Sequence, residues 1–235
     1  MTGAGVMNQT RKLARHQLES FSRNGFLAID RIIADDELSM LRDIYDRLFG
    51  SNPEKLGQGH FHLDGKRNDD GTYLPQILQP SRYFPELATL DYHSTVRDIA
   101  RQVLGDKLEE RHGEHMIFKP PRFGAVTRWH QDQTHQNLRL RYRNVNFWLA
   151  LDDVTVANGC LQFVSGSHRR DVIYKDPDRF ADQATACPLP AGGCTMHASY
   201  VLHYSGPNIS NTARRAYILI FRAPATERET EIRVE

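Results

Sequence analysis

From Leu108 onward the chain is a succession of short apolar runs separated by turn residues, and this pattern limits its possible folds more than any other feature. The runs fall at residues 115–118, 126–130, 144–152, 160–164, 195–198 and 214–222. Short strands at such spacing predict an antiparallel double-sheet sandwich or barrel. The run at 144–152, N-V-N-F-W-L-A-L-D, is nearly all apolar at its centre. Just before it, Leu138 to Arg143 alternates L-R-L-R-Y-R, which reads as the solvent face of a strand or ribbon rather than a binding patch.

The first half has a different rhythm. Helices are predicted over 12–23, 35–49 and 94–104, with a short buried strand at 26–29. Asn24-Gly25 and Leu104-Gly105 end two of the helices, glycine being favoured just past a helix terminus. Asp35 and Asp36 suit the positive end of the second helix's dipole. Leu38, Leu41, Ile44, Tyr45 and Leu48 recur at helical spacing as its core stripe. Residues 50–83 show no period and are dense in Gly, Pro, Asn and Asp, which predicts part of a substrate lid. Residues 170–190 are the other irregular stretch and are expected to share the substrate entrance. The expected layout is one domain over 1–235, mostly β with flanking α-helices: helical support and lid in 1–107, barrel core in 108–223.

Composition excludes several classes. Lys and Arg number 30 against 29 Asp and Glu, so no charge excess recommends a nucleic-acid partner. Three cysteines without C-x-x-C spacing argue against a disulfide framework and a zinc-thiolate site. Residues 1–8 lack a signal peptide's apolar run, and no stretch reaches the roughly 18 apolar residues of a membrane span. The expectation is a cytoplasmic protein acting on a small molecule, with no nucleic-acid or membrane partner.

The chemistry centres on Trp129-His130-Gln131-Asp132. In a strand, residues i and i+2 share a face, so His130 and Asp132 converge. Two histidines and one carboxylate with open positions form the facial triad of non-haem iron(II) oxygenases. H-x-D alone is weak and needs a distant third ligand. The best candidate is His203, which follows an apolar pair and precedes the turn-rich S-G-P-N. Eleven residues later Arg214 opens the apolar strand A-Y-I-L-I-F, where a guanidinium is costly unless paired. Its fork matches a carboxylate, and the distal carboxylate of 2-oxoglutarate is a suitable guest.

Four ordered segments carry a resemblance: H-Q-D at 130–132, F-W-L-A-L-D-D at 147–153, N-G-C-L-Q-F-V-S-G-S-H at 158–168, and L-H-Y-S-G-P-N-I-S-N-T-A-R-R-A at 202–216. With the opening E-S-F-S-R-N-G-F-L-A-I-D, they resemble the phytanoyl-CoA dioxygenase family across residues 15–223. The resemblance implies a double-stranded β-helix (jelly-roll, cupin-like) barrel. It implies a dioxygenase that uses Fe(II), 2-oxoglutarate and O2 and releases succinate and CO2. Hydroxylation of an unactivated C–H bond is the usual outcome, and desaturation or rearrangement also occurs among relatives. Carried over residue by residue, it implies that His130, Asp132 and His203 bind iron and that Arg214 and Ser205 hold the far carboxylate of 2-oxoglutarate. Gln131 and Trp148 match pocket residues, and Thr127 is a candidate for the near end of the co-substrate. Arg215 is the fallback for Arg214, although strand alternation turns it outward. One departure is Gly192-Gly193-Cys194, where the family often has Gly-Asp, which alters the rim. Retention of Asp132 disfavours halogenation, because halogenating relatives carry a small residue there.

Other polar residues have plainer readings. His60 and His62 imitate a ligand set but read as lid or surface residues, and His112 and His115 as structural. His135 either faces the pocket or does not. His168 is expected to stabilise its own turn, and His197 to face inward or support a ligand. Lys119, at a strand end, reads by default as solvent-exposed, with contact to an acidic substrate as the alternative. Two other functions stay open at this point: a cupin-like metal enzyme that does not use 2-oxoglutarate, and a degenerate barrel that binds a small molecule.

Overall fold

The computed structural model describes residues 12–50, 60–62, 75–109, 113–122, 126–230 and 232–235. His112 lies outside the described residues, as do the side chains of His60, His62 and His135.

The chain opens with α1 (Arg15–Asn24), β1 (Phe26–Ile29) and α2 (Asp35–Gly50). Gly25 ends α1 with φ 84°, and a Cβ there would meet the His168 ring at 2.4 Å. His168 also bonds the Ser22 carbonyl at 3.1 Å, so it ties its turn to α1 rather than serving that turn alone. Next come β2 (His60–His62), β3 (Pro75–Leu78) and α3 (Asp91–Leu104). The second half supplies β4 (Gly113–Lys119), β5 (Thr127–His130), β6 (Leu140–Ala150), β7 (Leu161–Val164), β8 (Val172–Ile173), β9 (Ala184–Cys187), β10 (Cys194–Ala198), β11 (His203–Ser205), β12 (Arg214–Glu227) and β13 (Arg233–Val234).

The strands form two principal antiparallel sheets, β1-β10-β6-β12-β4-β3-β2 and β5-β11-β7-β9, with β13 and β8 as a separate parallel pair. The two sheets face each other across Trp148, Ala150, Leu161, Phe163, Ala216 and Ile218, which is the jelly-roll barrel expected from the resemblance. Against the other face of the large sheet lie α2 and α3. The predicted stripe Leu38, Leu41, Ile44, Tyr45 and Leu48 packs there with Tyr92, Phe147, Leu149 and Leu219. Each fully buried leucine or isoleucine of that stripe contributes about 1.5–3 kcal/mol by leaving water. Helices on one side and the barrel lumen on the other explain why Asn144 to Ala150 are all buried. Upstream, the half-buried Leu140 and Tyr142 alternate with exposed Arg141 and Arg143, the solvent-facing pattern expected from the sequence.

Buried polar groups on the helix-facing side are joined to one another. Tyr217 donates to Glu114, His93 Nε2 lies 2.7 Å from the Tyr217 hydroxyl, and Ser81 donates to the other Glu114 oxygen. The network fastens α3 and the turn at Pro80–Arg82 to β4 and β12.

Two expectations need correction. The stretch at 50–83 is not wholly irregular, because β2 and β3 lie in it and extend the large sheet beyond β4. Pro75 hid β3, yet proline is tolerated at the first residue of a strand. The stretch at 170–190 contains β8 and β9, and β9 pairs with β7 as an edge of the small sheet. Residues before 108 therefore contribute β1, β2 and β3 to the barrel's large sheet besides the helices.

Candidate functional site

His130 ends β5 and His203 begins β11, and the antiparallel register places them directly opposite each other. Their ring centroids are 4.0 Å apart. After His130 the strand stops, but Gln131 keeps an extended backbone (φ −117°, ψ 134°) before the turn at Asp132–His135. The i, i+2 relation therefore survives, and Asp132 emerges on the same side as His130. His130, Asp132 and His203 each offer a ligand atom within 4.8 Å of the others.

Both imidazoles are oriented by the backbone two residues upstream. Nδ1 of His130 donates to the Arg128 carbonyl at 2.8 Å, and Nδ1 of His203 to the Val201 carbonyl at 3.0 Å. A carbonyl only accepts, so the protons sit on Nδ1 and each Nε2 presents a lone pair that can coordinate a cation. Those atoms lie 3.6 and 3.7 Å from Asp132 Oδ1. The second carboxylate oxygen is engaged elsewhere, since Asn146 Nδ2 donates to Oδ2 at 2.6 Å and His197 Nε2 stands 3.7 Å from it. One oxygen of Asp132 is thus left facing both histidines.

The electrostatics agree with this arrangement. Burial opposes the Asp132 charge, but His203, His130 and His197 outweigh it and hold the carboxyl well below its usual range. Burial, reinforced by His130, pushes His203 far down. Burial likewise lowers His197 to about 4. His130 is the exception, because Asp132 overcomes burial and raises it. Two imidazole nitrogens and one carboxylate oxygen are the donor set of a non-haem iron(II) site. Metal–ligand bonds of about 2.1 Å hold neighbouring donors roughly 3 Å apart. The gaps of 3.6 and 3.7 Å are too long for hydrogen bonds and wide enough for a metal ion. The residues present fit a divalent cation.

Asn146 was not legible as a site residue, though it lies two positions before Trp148 on the inward face of β6. Asn146→Ala is expected to lower iron(II) affinity about 10- to 100-fold by freeing Oδ2 to turn. An anaerobic titration reads this directly, and wild-type affinity in the variant would remove Asn146 from the site.

The same lumen holds Arg214. The residue is 1 % exposed, its Nε has no hydrogen-bond partner among the described residues, and burial lowers its pKa to about 10. It lies over the Trp148 ring, whose centroid is 5.1 Å from the guanidinium carbon. Trp148 and Asn146 share one face of β6, so that face meets Arg214 at one point and Asp132 at the other. Arg215 points the opposite way, as alternation predicts, and forms a two-pronged pair with Asp152 at 2.7 and 3.0 Å.

Lys119 is a correction. It is buried, not exposed, and lies opposite Arg214 across β4 and β12. Its ammonium group donates to the Ser205 carbonyl at 3.1 Å, to Ser205 Oγ at 2.8 Å and to the Gly206 carbonyl. Ser205 Oγ in turn donates to the Gly159 carbonyl at 2.9 Å. Gly159, at φ 87°, must be glycine here, because a Cβ would stand 2.5 Å from the Gly206 carbonyl oxygen. Thr127 faces Ser205 across β5 and β11. Period-two parity from His115 through Ile117 would have placed Lys119 inside the barrel. His115 also faces inward, with burial lowering it to about 4, and accepts a hydrogen bond from Gln76 Nε2 at 2.6 Å.

Gln131 is a second correction. Its amide nitrogen donates to the Val172 and Tyr200 carbonyls at 3.0 and 2.8 Å, and its oxygen accepts from the Tyr174 amide at 3.1 Å. Alternation turns it away from its neighbours' metal-facing side, so it braces the backbone instead of lining the co-substrate pocket. A surface cavity of about 450 Å³ lies elsewhere, over Arg141, Arg170, Asp171 and Arg228.

Comparison with known proteins gives concordant results. The profile of the phytanoyl-CoA dioxygenase family matches residues 21–216. The probable alpha-ketoglutarate-dependent hypophosphite dioxygenase of Stutzerimonas stutzeri is 26% identical over 230 residues, covering 89% of this chain and 78% of its own. EvdO2 from Micromonospora carbonacea var. aurantiaca superposes with a TM-score of 0.80 at 33% identity, covering 93% of this chain and 94% of that one. In its complex with 2-oxoglutarate the same protein superposes at 0.77 with 31% identity, over the same 93% and 94%. SnoK, the carbocyclase from nogalamycin biosynthesis, shares the fold at 24% identity and a TM-score of 0.75, over 92% and 87% of the two chains. A family match across that span, together with a superposition at one-third identity over nearly the whole chain, places this protein in the phytanoyl-CoA dioxygenase family of iron(II)- and 2-oxoglutarate-dependent oxygenases.

Proposed function

We propose that His130, Asp132 and His203 bind iron(II), that Arg214 receives the far carboxylate of 2-oxoglutarate, and that the enzyme hydroxylates an unactivated C–H bond of a small molecule. The observation that carries this reading is Arg214, buried without a carboxylate in contact among the described residues, in the lumen that also contains the triad. Burying such a charge is unfavourable unless a guest neutralises it. The binding of 2-oxoglutarate by EvdO2 supports the choice of guest.

Iron(II) and 2-oxoglutarate, when bound, supply with O2 the oxidising power for attack on a C–H bond, and the co-substrate leaves as succinate and CO2. The chain's own residues do the rest. Backbone carbonyls hold both imidazoles in the ligand-ready tautomer. Asn146 restrains Asp132 to one free oxygen. Trp148 covers the Arg214 guanidinium with an apolar face that excludes water. Lys119 stands beside Arg214, so their charges together favour a dianionic co-substrate at that end of the barrel. Ser205 contributes by seating Lys119, and Thr127 opposite it is proposed to border the near end of the co-substrate. We also infer a single domain over 1–235, acting in the cytoplasm on a small, non-polymeric substrate. Retention of Asp132 leaves the triad complete, which favours oxygen insertion over halide transfer.

Purified protein with iron(II), 2-oxoglutarate and O2 is expected to form succinate slowly even without its substrate, and chelation should stop it. A metal-replete protein that forms none would favour a cupin-like enzyme independent of 2-oxoglutarate.

A further inference from the structure

The metal-binding turn is held from behind by an ionic clamp at the far end of β12. Gln131 sits between two proposed iron ligands, and its amide bonds to two separate stretches of chain, residues 172–174 and Tyr200. These stretches are also tied to each other. Arg228, just past β12, donates in bidentate fashion to Asp171 at 2.9 and 2.9 Å. It donates as well to the Tyr200 hydroxyl and to the Leu140 carbonyl, the latter at 3.3 Å. Asp171 directly precedes Val172, and Tyr200 carries the carbonyl that Gln131 bonds. The Arg228 side chain is 5% exposed and its Asp171 partner 36%, so the arginine is fixed in place while the carboxylate reaches solvent. Asp171 has φ 49°, a left-handed conformation that is unfavourable for a non-glycine residue unless the surroundings hold it. On the outer side, β13 caps the same segment, with Glu235 N donating to the Ile173 carbonyl at 2.8 Å.

We infer that Arg228 is a positioning residue for the iron site, acting through Asp171, Tyr200 and Gln131 on the backbone that carries His130 and Asp132. This rests on the iron-site reading above. The physical basis is tolerance: metal–ligand bonds accept deviations of about 0.2 Å. Arg228 closes a frame around Gln131, and Gln131 has no amide hydrogen left with which to re-anchor itself. Without Arg228, Asp171 keeps only the more exposed Arg141, which meets a single carboxylate oxygen, and its left-handed backbone is held less firmly. Residues 172–174 can then shift, and the turn between the ligands shifts with them.

The test is anaerobic iron(II) titration of the full chain, read by affinity, by the absorption band that forms when 2-oxoglutarate is added, and by thermal unfolding. Arg228→Met is expected to lower iron(II) affinity about 10- to 100-fold and to displace the band, as loss of supporting groups does at other metal sites. Asp171→Asn, a milder change should Arg228→Met fold poorly, is expected to act in the same direction. Gln131→Met is expected to match Arg228→Met, and the double variant to be no weaker than the worse single one, because both remove one line of support. Arg215→Met breaks a comparable bidentate pair on the opposite side of the sheet and is expected to lower thermal stability while leaving iron affinity intact. Wild-type affinity in both Arg228→Met and Asp171→Asn would overturn the inference while leaving the iron site standing. Equal loss in Arg215→Met would also overturn it, showing a general stability effect. A wild-type protein that binds no iron would overturn both readings together.

Discussion

Asp132→Ala is expected to lower iron(II) affinity by roughly 10²- to 10³-fold. Metal-site free energies of about 10–16 kcal/mol spread over four ligands come to about 3 kcal/mol for each, and 1.4 kcal/mol is a factor of ten. Asp132 also supplies the single negative charge of the triad, and two neutral imidazoles attract a divalent cation far less strongly. The fold should persist, because Asp132 lies at the lumen and outside the three apolar clusters. Anaerobic titration with thermal unfolding alongside checks both parts. A variant that keeps wild-type iron affinity would remove Asp132 from the metal site.

Arg214→Met is expected to raise the 2-oxoglutarate concentration needed for turnover by roughly 30-fold to several thousandfold. Truncating one side of a buried charged pair costs about 2–5 kcal/mol, much of it from the carboxylate left without a partner. Iron(II) affinity should stay near wild type, because Arg214 meets Trp148 and not the triad. A second consequence has the opposite sign. Arg214 is buried with its Nε unpaired, so replacement by methionine is expected to stabilise the protein before co-substrate binds. The same replacement removes the stabilisation that 2-oxoglutarate confers on the wild type by mass action. Thermal midpoints with and without 2-oxoglutarate separate the two effects. An unchanged 2-oxoglutarate requirement would release Arg214 from its role.

The most constrained residues were the most legible. His130, Asp132 and His203 are readable because facial ligation requires particular side chains at an i, i+2 spacing, and extended backbone at Gln131 preserves that geometry where the strand ends. Strand parity separated Arg214 from Arg215, since a strand cannot turn two successive side chains inward. Gln131 misled because motif resemblance places a residue in sequence without giving its direction. The same parity that makes His130 and Asp132 converge sends Gln131 to the Val172 and Tyr200 carbonyls. Lys119 was hidden by a general rule, that lysine at a strand end faces solvent. Backbone carbonyls brought to it from the Ser205–Gly206 turn, far along the chain, override the rule. β9 and β11 carry too few residues to show a period of their own, and they form because β7 offers each of them an edge. The contacts of Asn146 with Asp132 and of Arg228 with Asp171 join distant segments, which local patterning does not encode.

The triad and Arg214 are proposed together to form one iron(II) and 2-oxoglutarate site. The most direct measurement adds iron(II) and then 2-oxoglutarate to the metal-free protein under anaerobic conditions and follows the visible metal-to-ligand charge-transfer band of a chelated keto acid. A saturable band is expected in the wild type, absent in Asp132→Ala and shifted to much higher 2-oxoglutarate concentration in Arg214→Met. Iron binding without a band in the wild type would contradict that proposal.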